Sequence, residues 1–295
     1  MMPPNTYTLI DPQTGNLAFR ICSFQDAGNY EDIQRLNHYS LIWIKTGKGT
    51  LYADFSSIVF EGDTLFSFSP YQPFKLDIKG KTEGVVLNFH PDFFCIHKHQ
   101  EEVACNGVLF NNIYEPPFVK INESSKTKLE LLTVQMTEEL GNSELAQYEL
   151  LVSYLKIFLI TVSRLKAQQQ LEVKELARGI KEPFVLQNLK NYIETHFRTK
   201  HSAADYADML AISPKGLARA TKSHFNKTLS DMITERIIIE AKRELYLTNK
   251  TVKEIAYELG YTDEYYFSRF FKKNVEISPQ RYRETVGFAR GARPV

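Results

Sequence analysis

Cysteine is scarce: Cys22, Cys95 and Cys105 are the three thiols in 295 residues. Three thiols make no even disulfide framework, and a reducing cytoplasm is the simplest setting for them. Long hydrophobic runs are missing too. Ile157-Phe-Leu-Ile-Thr-Val162 falls far short of the roughly 18 apolar residues of a membrane span, so no membrane partner is expected. The first residues, Met-Met-Pro-Pro-Asn-Thr, have neither the basic stretch nor the apolar core of a secretory signal. Neither a Ser-His-Asp constellation nor a paired-carboxylate motif nor a phosphate loop is evident, so the sequence implies no enzyme and no cofactor. Net charge is almost absent as well, at +1.

That near-zero charge is a cancellation. From Phe184 onward there are 19 Lys and Arg against 13 Asp and Glu, or +6, while the first 183 residues hold 17 against 22, or −5. A basic C-terminal half beside an acidic N-terminal half is the asymmetry expected when only one half meets phosphate. The length predicts two domains. The 43% hydrophobic and 24% charged content is that of a soluble globular chain.

Residues 1 to about 115 have the pattern of β structure. Strand-like runs at Ser40–Ile44, Gly49–Tyr52, Ile58–Phe60, Thr64–Phe68 and Gly84–Phe89 are divided by turn signals. Those signals are Thr46-Gly-Lys-Gly, Glu61-Gly-Asp, Ser69-Pro-Tyr-Gln-Pro and Lys79-Gly-Lys. Short strands so spaced predict a sandwich or a small barrel. From Lys126 the period becomes helical, with one helix over 126–140 and a second from Ser143 or Glu144 to about Leu171. In the second, Leu145, Tyr148, Val152, Leu155, Leu159 and Val162 form an apolar stripe, widened by Leu151, Phe158 and Leu165. Such a stripe covers a barrel or forms a dimer seam, and its width suggests both. The polar stretch 167–182, capped by Gly179 and Pro183, has the composition of an interdomain linker.

The last hundred residues carry one helical hairpin pattern twice. The copies are Tyr206-Ala-Asp-Met-Leu-Ala-Ile-Ser-Pro-Lys-Gly-Leu-Ala-Arg219 and Ile255-Ala-Tyr-Glu-Leu-Gly-Tyr-Thr-Asp-Glu-Tyr-Tyr-Phe-Ser-Arg269. Each has a short apolar helix, a turn at a small residue (Ala211, Gly260), a capping residue (Ser213; Thr262 or Asp263) and a second helix bearing an arginine. Ala207 and Ala256, offset by 49 residues, let the two helices of each pair approach closely. Gly260 suits a turn needing φ > 0, and Pro214 sits where a first-turn proline is tolerated. In such helix-turn-helix motifs the second helix enters the DNA major groove. One copy is also compatible with an ordinary helical bundle; two copies make coincidence a poor explanation. A helix over about 184–196 precedes the first motif. Another, over about 229–247 with Met232, Ile233, Ile237, Ala241 and Leu245 on one face, connects the two.

The run Ile255-Ala-x-x-Leu-Gly-Tyr-x-Asp-x-x-Tyr-Phe-Ser-Arg-x-Phe-Lys272, followed by Ser278-Pro-x-x-Tyr-Arg283, closely resembles the AraC/XylS family of bacterial transcription regulators. The resemblance covers about 100 residues. It implies that both motifs contact double-stranded DNA and that the N-terminal half is regulatory. Carried over by position, the first reading helix offers Lys215, Ala218 and Arg219, and the second Glu264, Tyr265, Ser268 and Arg269. Arg219 and Arg269 are the expected base readers, since a guanidinium spans guanine O6 and N7. Lys222, Lys272 and Lys273 suit phosphate. Glu264 either accepts from cytosine N4 or excludes other bases. Phe267, Phe270 and Phe271 are assigned to the core. Ala218 and Gly216 depart from the larger polar residues common in the family, so the first motif is expected to discriminate less.

The N-terminal half is similar to the cupin-like barrel of this family, through Lys48-Gly49, Phe60-Glu-Gly-Asp63 and Phe68-x-Pro70. The expectation is therefore an α+β chain: a cupin-like β-barrel with flanking helices for sensing and dimerisation over 1–170, a linker over 171–183, and an all-α DNA-binding domain over 184–295. A small barrel can enclose one small effector; Trp43, Phe66, Tyr71, Phe74 and His90 are candidate lining residues, with plain core packing the alternative for each. The cluster His90, Cys95, His97, His99 and Cys105 contains zinc-type ligands, but its spacing matches no closed site, and no metal is assigned. The implied function is an AraC-type regulator, cytoplasmic, homodimeric, controlled by a small effector, and touching RNA polymerase if it activates. The competing class is a cupin metal enzyme or a DNA-repair protein tethered to a DNA-binding domain. A repair nucleophile needs an activated thiol, and the DNA-binding half contains no cysteine.

Overall fold

A computed structural model describes residues 6–25, 30–53, 56–103, 106–142, 144–176 and 184–287. They divide into two compact units, Met1–Asn112 with Pro116–Lys174, and Ile113–Glu115 with Glu175–Val295. Ser143, Cys105 and the linker residues 177–183 lie outside the described residues.

The first unit is an antiparallel sheet backed by helices. Its strands are β1 (Thr6–Ile10), β2 (Leu17–Gln25), β3 (Tyr39–Ala53), β4 (Ser56–Glu61), β5 (Thr64–Phe68), β6 (Phe74–Phe89) and β7 (Phe118–Lys120), in the order β1-β2-β6-β3-β5-β7 with β4 on β3. The expected barrel is not closed: among the described residues β1 pairs only β2 and β7 only β5. Two expected turns also lie inside strands. Thr46-Gly-Lys-Gly is an irregularity within β3, where the register to β6 shifts between Ile44 and Lys48 and Gly47 adopts φ 114°. Lys79-Gly-Lys lies within β6, and only glycine adopts the φ of 78° at Gly80 without strain. A bulged, glycine-kinked strand and a tight turn share their composition, because both need one residue off the regular β geometry.

Both sheet faces are buried, so Tyr39–Ile44 is covered at every residue. Leu41 and Trp43 join one core with Phe19, Phe89 and the helices α2 (Glu123–Gly141) and α3 (Gln147–Leu176); α1 (Gln100–Val103) adds Val103. Ile42 and Ile44 join the other, with Phe60, Phe66, Phe68, Phe74 and Val86. On α3 the buried apolar residues are Leu151, Leu155, Phe158, Leu159, Val162 and Leu165, whose 4-3 spacing faces the sheet. The residues assigned to widening the stripe are thus part of its core-facing centre. Leu145 precedes the helix and is fully exposed.

The second unit is helical: α4 (Phe184–His196), α5 (Ala203–Met209), α6 (Pro214–Phe225), α7 (Leu229–Leu247), α8 (Val252–Glu258), α9 (Glu264–Val275) and α10 (Pro279–Val286). Side-chain caps start the helices. Ser202/Asp205, Thr228/Asp231 and Thr251/Glu254 form capping boxes, while Ser213, Asp263 and Ser278 each accept a first-turn backbone N–H. Met232, Ile233, Ile237, Ala241 and Leu245 are buried along α7, as its pattern predicts. At about 1.5 Å per residue, its 19 residues make a connector of about 28 Å.

Candidate nucleic-acid interface

Two hairpins, α5–α6 and α8–α9, repeat in hydrogen-bond detail. Ala211 N donates to Asp208 O and Ile212 N to Ala207 O; 49 residues on, Gly260 N donates to Tyr257 O and Tyr261 N to Ala256 O. These bonds close each first helix in a left-handed turn, with φ 53° at Ala211 and 79° at Gly260. The second turn then holds one extra residue, so the caps Ser213 and Asp263, and all of α6 and α9, correspond at an offset of 50. Ala207 and Ala256 are fully buried where the helices cross.

At that offset Arg219 matches Arg269, Lys222 matches Lys272, and Leu217 and Thr221, which are buried, match the buried Phe267 and Phe271. Phe270, expected in the core, is only half-buried, its ring centroid 5.3 Å from that of Tyr261. Outward from each buried line point the sequence candidates. Lys215, Ala218, Arg219 and Lys222 are exposed on α6; Tyr265, Arg269, Lys272 and Lys273 are exposed on α9, with Glu264 and Ser268 half-buried. Neither Arg219 nor Arg269 makes an ion pair or hydrogen bond to any described residue. Arg269, Lys272 and Lys273 line one open depression with Glu276. Lys222 differs from Lys272, since its Nζ donates to Asn226 O at 3.1 Å, at its own helix end. Tyr266, not among the sequence candidates, is exposed beside Tyr265 and three residues before Arg269, a spacing that puts it on the arginine's face.

The support is rigid. Gly260 packs so closely on the backbone carbonyl of Arg198 that a Cβ would collide with it, and His201 lies against Tyr261, centroids 4.8 Å apart. Glu240 of α7 is buried and receives Arg198 Nη2 at 2.6 Å, Arg236 Nη1 at 3.1 Å and Arg243 Nη1 at 3.0 Å. Burial opposes its ionisation, but the charge and hydrogen bond of Arg236, with Arg243 and Arg198, outweigh it and hold the carboxyl below its usual range. The tail motif Ser278-Pro-x-x-Tyr-Arg283 is structural. Ser278 caps α10, Tyr282 is buried, and Arg283 donates to the carbonyls of Leu245 (2.9 Å) and Lys250 (2.6 Å).

In the first unit the structure does not gather the candidate effector-lining residues. Trp43 stands opposite Leu65 and Val85 on one face; Phe66 stands opposite Ile42 on the other, where Phe74 also lies. Adjacent strand residues point to opposite faces, and that alternation separates them. Tyr71 is a half-buried turn residue with φ 55°, its N–H donating to Leu36 O at 2.7 Å. His90 is buried just after β6 and accepts from Asp92 N–H at 3.2 Å. Among the described residues no three His, Cys, Asp or Glu side chains could hold a metal ion. His99 pairs with Glu102, Nδ1 to Oε2 3.1 Å. No helix among the described residues is long and apolar enough to cross a membrane.

Two matched helix-turn-helix hairpins with exposed arginines define a bipartite DNA-binding protein. A helix-turn-helix domain family model matches residues 206–285. The activator Btr of Bacillus subtilis is 33% identical over 154 residues, 52% of this chain and 29% of that protein. An uncharacterised HTH-type transcriptional regulator of Pseudoalteromonas carrageenovora is 33% identical over 125 residues, 42% of this chain and 74% of that one. The activator RhaS of an Enterobacter strain is 26% identical over 172 residues, 57% of this chain and 58% of that protein. The chain thus spans under a third of Btr and somewhat over half of RhaS. The solved structure of ToxT from Vibrio cholerae aligns over 91% of this chain and 98% of its own at TM-score 0.40 and 14% identity. The chain belongs to the AraC/XylS family of transcription regulators, and its homologues are regulators, not enzymes.

Proposed function

We propose that this chain is a sequence-specific regulator that grips double-stranded DNA with α6 and α9. Arg219 and Arg269 are the base readers, helped by Lys215, Ala218, Glu264, Tyr265 and Ser268; Lys222, Lys272 and Lys273 hold phosphate. The observation that carries this reading is the matched pair of exposed guanidiniums, engaged with no described residue, at one position of two repeated hairpins. Residues 1–170 serve as sensor and dimerisation domain for a small effector, 171–183 as linker and 184–295 as the DNA-binding domain. The working form is a cytoplasmic homodimer that contacts RNA polymerase where it activates.

We place the dimer seam on other side chains than the apolar stripe the sequence suggested. Leu155 and Leu159 are fully buried in their own domain. Exposed apolar side chains on these helices include Leu150, Ile157 and Leu171 on α3 and Leu131 and Val134 on α2, and we assign the seam to Leu150, Ile157, Leu131 and Val134.

Selection of bound fragments from the source genome tests the function. A recurring two-part sequence, bound by the purified chain well above random DNA at physiological salt, is expected. Binding that ignores sequence would overturn it.

A further inference from the structure

A row of polar side chains crosses the sheet on the face of Ile42, Val86 and Phe66. Arg20 of β2 stands opposite Asn88 of β6, and Asn88 opposite Ser40 of β3. Asn88 is fully buried; its Oδ1 accepts from Arg20 Nε at 3.0 Å and Nη2 at 2.6 Å, and its Nδ2 donates to Ser40 Oγ at 2.8 Å. Arg20 is half-buried, and among the described residues no carboxylate pairs with it. A partly desolvated cation whose partner among the described residues is an amide oxygen keeps most of its attraction for an anion.

Two residues before Ser40, His38 is 7% exposed, and its Nε2 has no hydrogen-bond partner. Its Nδ1 lies 3.1 Å from Asn37 Oδ1, an atom that only accepts, so the ring proton sits on Nδ1 and Nε2 is a bare acceptor. Burial first, then the charges of Arg20 and His90, depress its pKa to about 3, so the ring is neutral at neutral pH. Asp92 Oδ2 lies 3.6 Å from His90 Nδ1, the nitrogen that accepts from the Asp92 N–H. Beside the row runs a chain of rings: Phe24 to Tyr30 (6.4 Å), Tyr30 to Phe74 (6.0 Å) and Phe74 stacked on Phe68 (3.9 Å).

We propose that Arg20, Asn88, Ser40 and His38 form the recognition site for a small hydroxycarboxylate, whose carboxylate meets Arg20, whose hydroxyl donates to His38 Nε2, and whose carbon skeleton packs on Phe24, Tyr30 and Phe74. The inference rests on the reading of the N-terminal unit as an effector sensor and names the effector's class. Donors at one end and a bare acceptor at the other select a molecule carrying both groups, because either left unmatched and buried costs binding.

The test is thermal melting of the full chain with mandelate, galacturonate or 3-hydroxydecanoate. Each is compared with its primary amide, and mandelate and 3-hydroxydecanoate also with phenylacetate and decanoate, which lack the hydroxyl. At least one hydroxy acid should raise the melting temperature, with its amide and deoxy analogue needing about tenfold more for the same shift; which acid does so distinguishes a sugar acid from an aromatic or fatty one. Arg20→Gln should remove the shift and Arg20→Lys, which keeps the charge, should restore part of it; His38→Phe should abolish the preference for the hydroxy acid over its deoxy analogue. Equal shifts from acids and amides, or an undiminished shift in Arg20→Gln, overturn the hydroxycarboxylate and leave the sensor reading standing. No shift from any compound overturns both.

Discussion

Ala211 and Gly260 hold the same place in two copies of one turn, and only Gly260 is walled in. Both adopt positive φ, 53° and 79°, and both are followed by a residue whose N–H reaches five residues back. At Gly260 an added Cβ would strike the Arg198 carbonyl oxygen and crowd the His201 ring, while Ala211 is exposed to solvent. Alanine in the left-handed region is strained. Ala211→Gly is therefore expected to stabilise the fold by about 0.5–1 kcal/mol. Gly260→Ala combines that strain with a backbone collision and should cost more than about 2 kcal/mol. Equilibrium unfolding followed by the helical circular-dichroism signal measures both; equal and small effects would show that the two turns are not in this relation.

Buried Glu240 makes stability depend on pH. Its folded pKa lies below the unfolded value, so its contribution is present above the ordinary carboxylate range and lost as pH falls through the folded pKa. Glu240→Gln should lower stability by roughly 3 kcal/mol at neutral pH. The gap to wild type should close only as pH falls below the ordinary carboxylate range and through the lowered folded pKa, where the native carboxyl is itself protonated. A gap independent of pH would mean that packing, not charge, explains the residue.

Much of the second unit was legible in the chain. Helices at 184–196 and 229–247 follow from strong apolar periodicity, and the repeat from its alanines and capping residues. The change of offset from 49 to 50 is masked in the sequence because the extra residue, among Thr262 and Asp263, leaves both copies with a plausible cap. The sheet was harder. β1 and β2 were missed: β1 is short and largely exposed, and β2 is buried chiefly on one side. In β3 the bulge at Gly47 mimics a turn. The division of Trp43 from Phe66 depends on register between strands, which no single segment encodes.

The assembly prediction separates two helix faces. Ile157 is 42% exposed on α3, whereas Leu155 is fully buried. In a fragment of residues 1–175, Ile157→Glu should convert a dimer to a folded monomer in sedimentation, because it puts charge in the seam and spares the core. Leu155→Glu should instead unfold the fragment. A wild-type fragment that is monomeric at micromolar concentration removes the seam.

Phosphate contacts should appear in the salt dependence. Lys272→Ala should weaken random and specific DNA alike and reduce the magnitude of the slope of log affinity against log salt by about 1. Lys222→Ala should do less if Lys222 keeps its bond to Asn226 O. Equal slopes for wild type and Lys272→Ala would take Lys272 off the phosphate backbone.

The most direct measurement of the central claim is base preference after removing each arginine in turn. Binding of the full chain to its selected site, and to every single-base variant of it, is compared for wild type, Arg219→Ala and Arg269→Ala. Each substitution should weaken the selected site by roughly 1–3 kcal/mol and flatten base preference in one part of the site only, the two parts lying about a helical turn apart. Random DNA should be affected much less. Loss of affinity by the same factor on selected and random DNA, or flattening of the same positions by both substitutions, would contradict two independently reading helices.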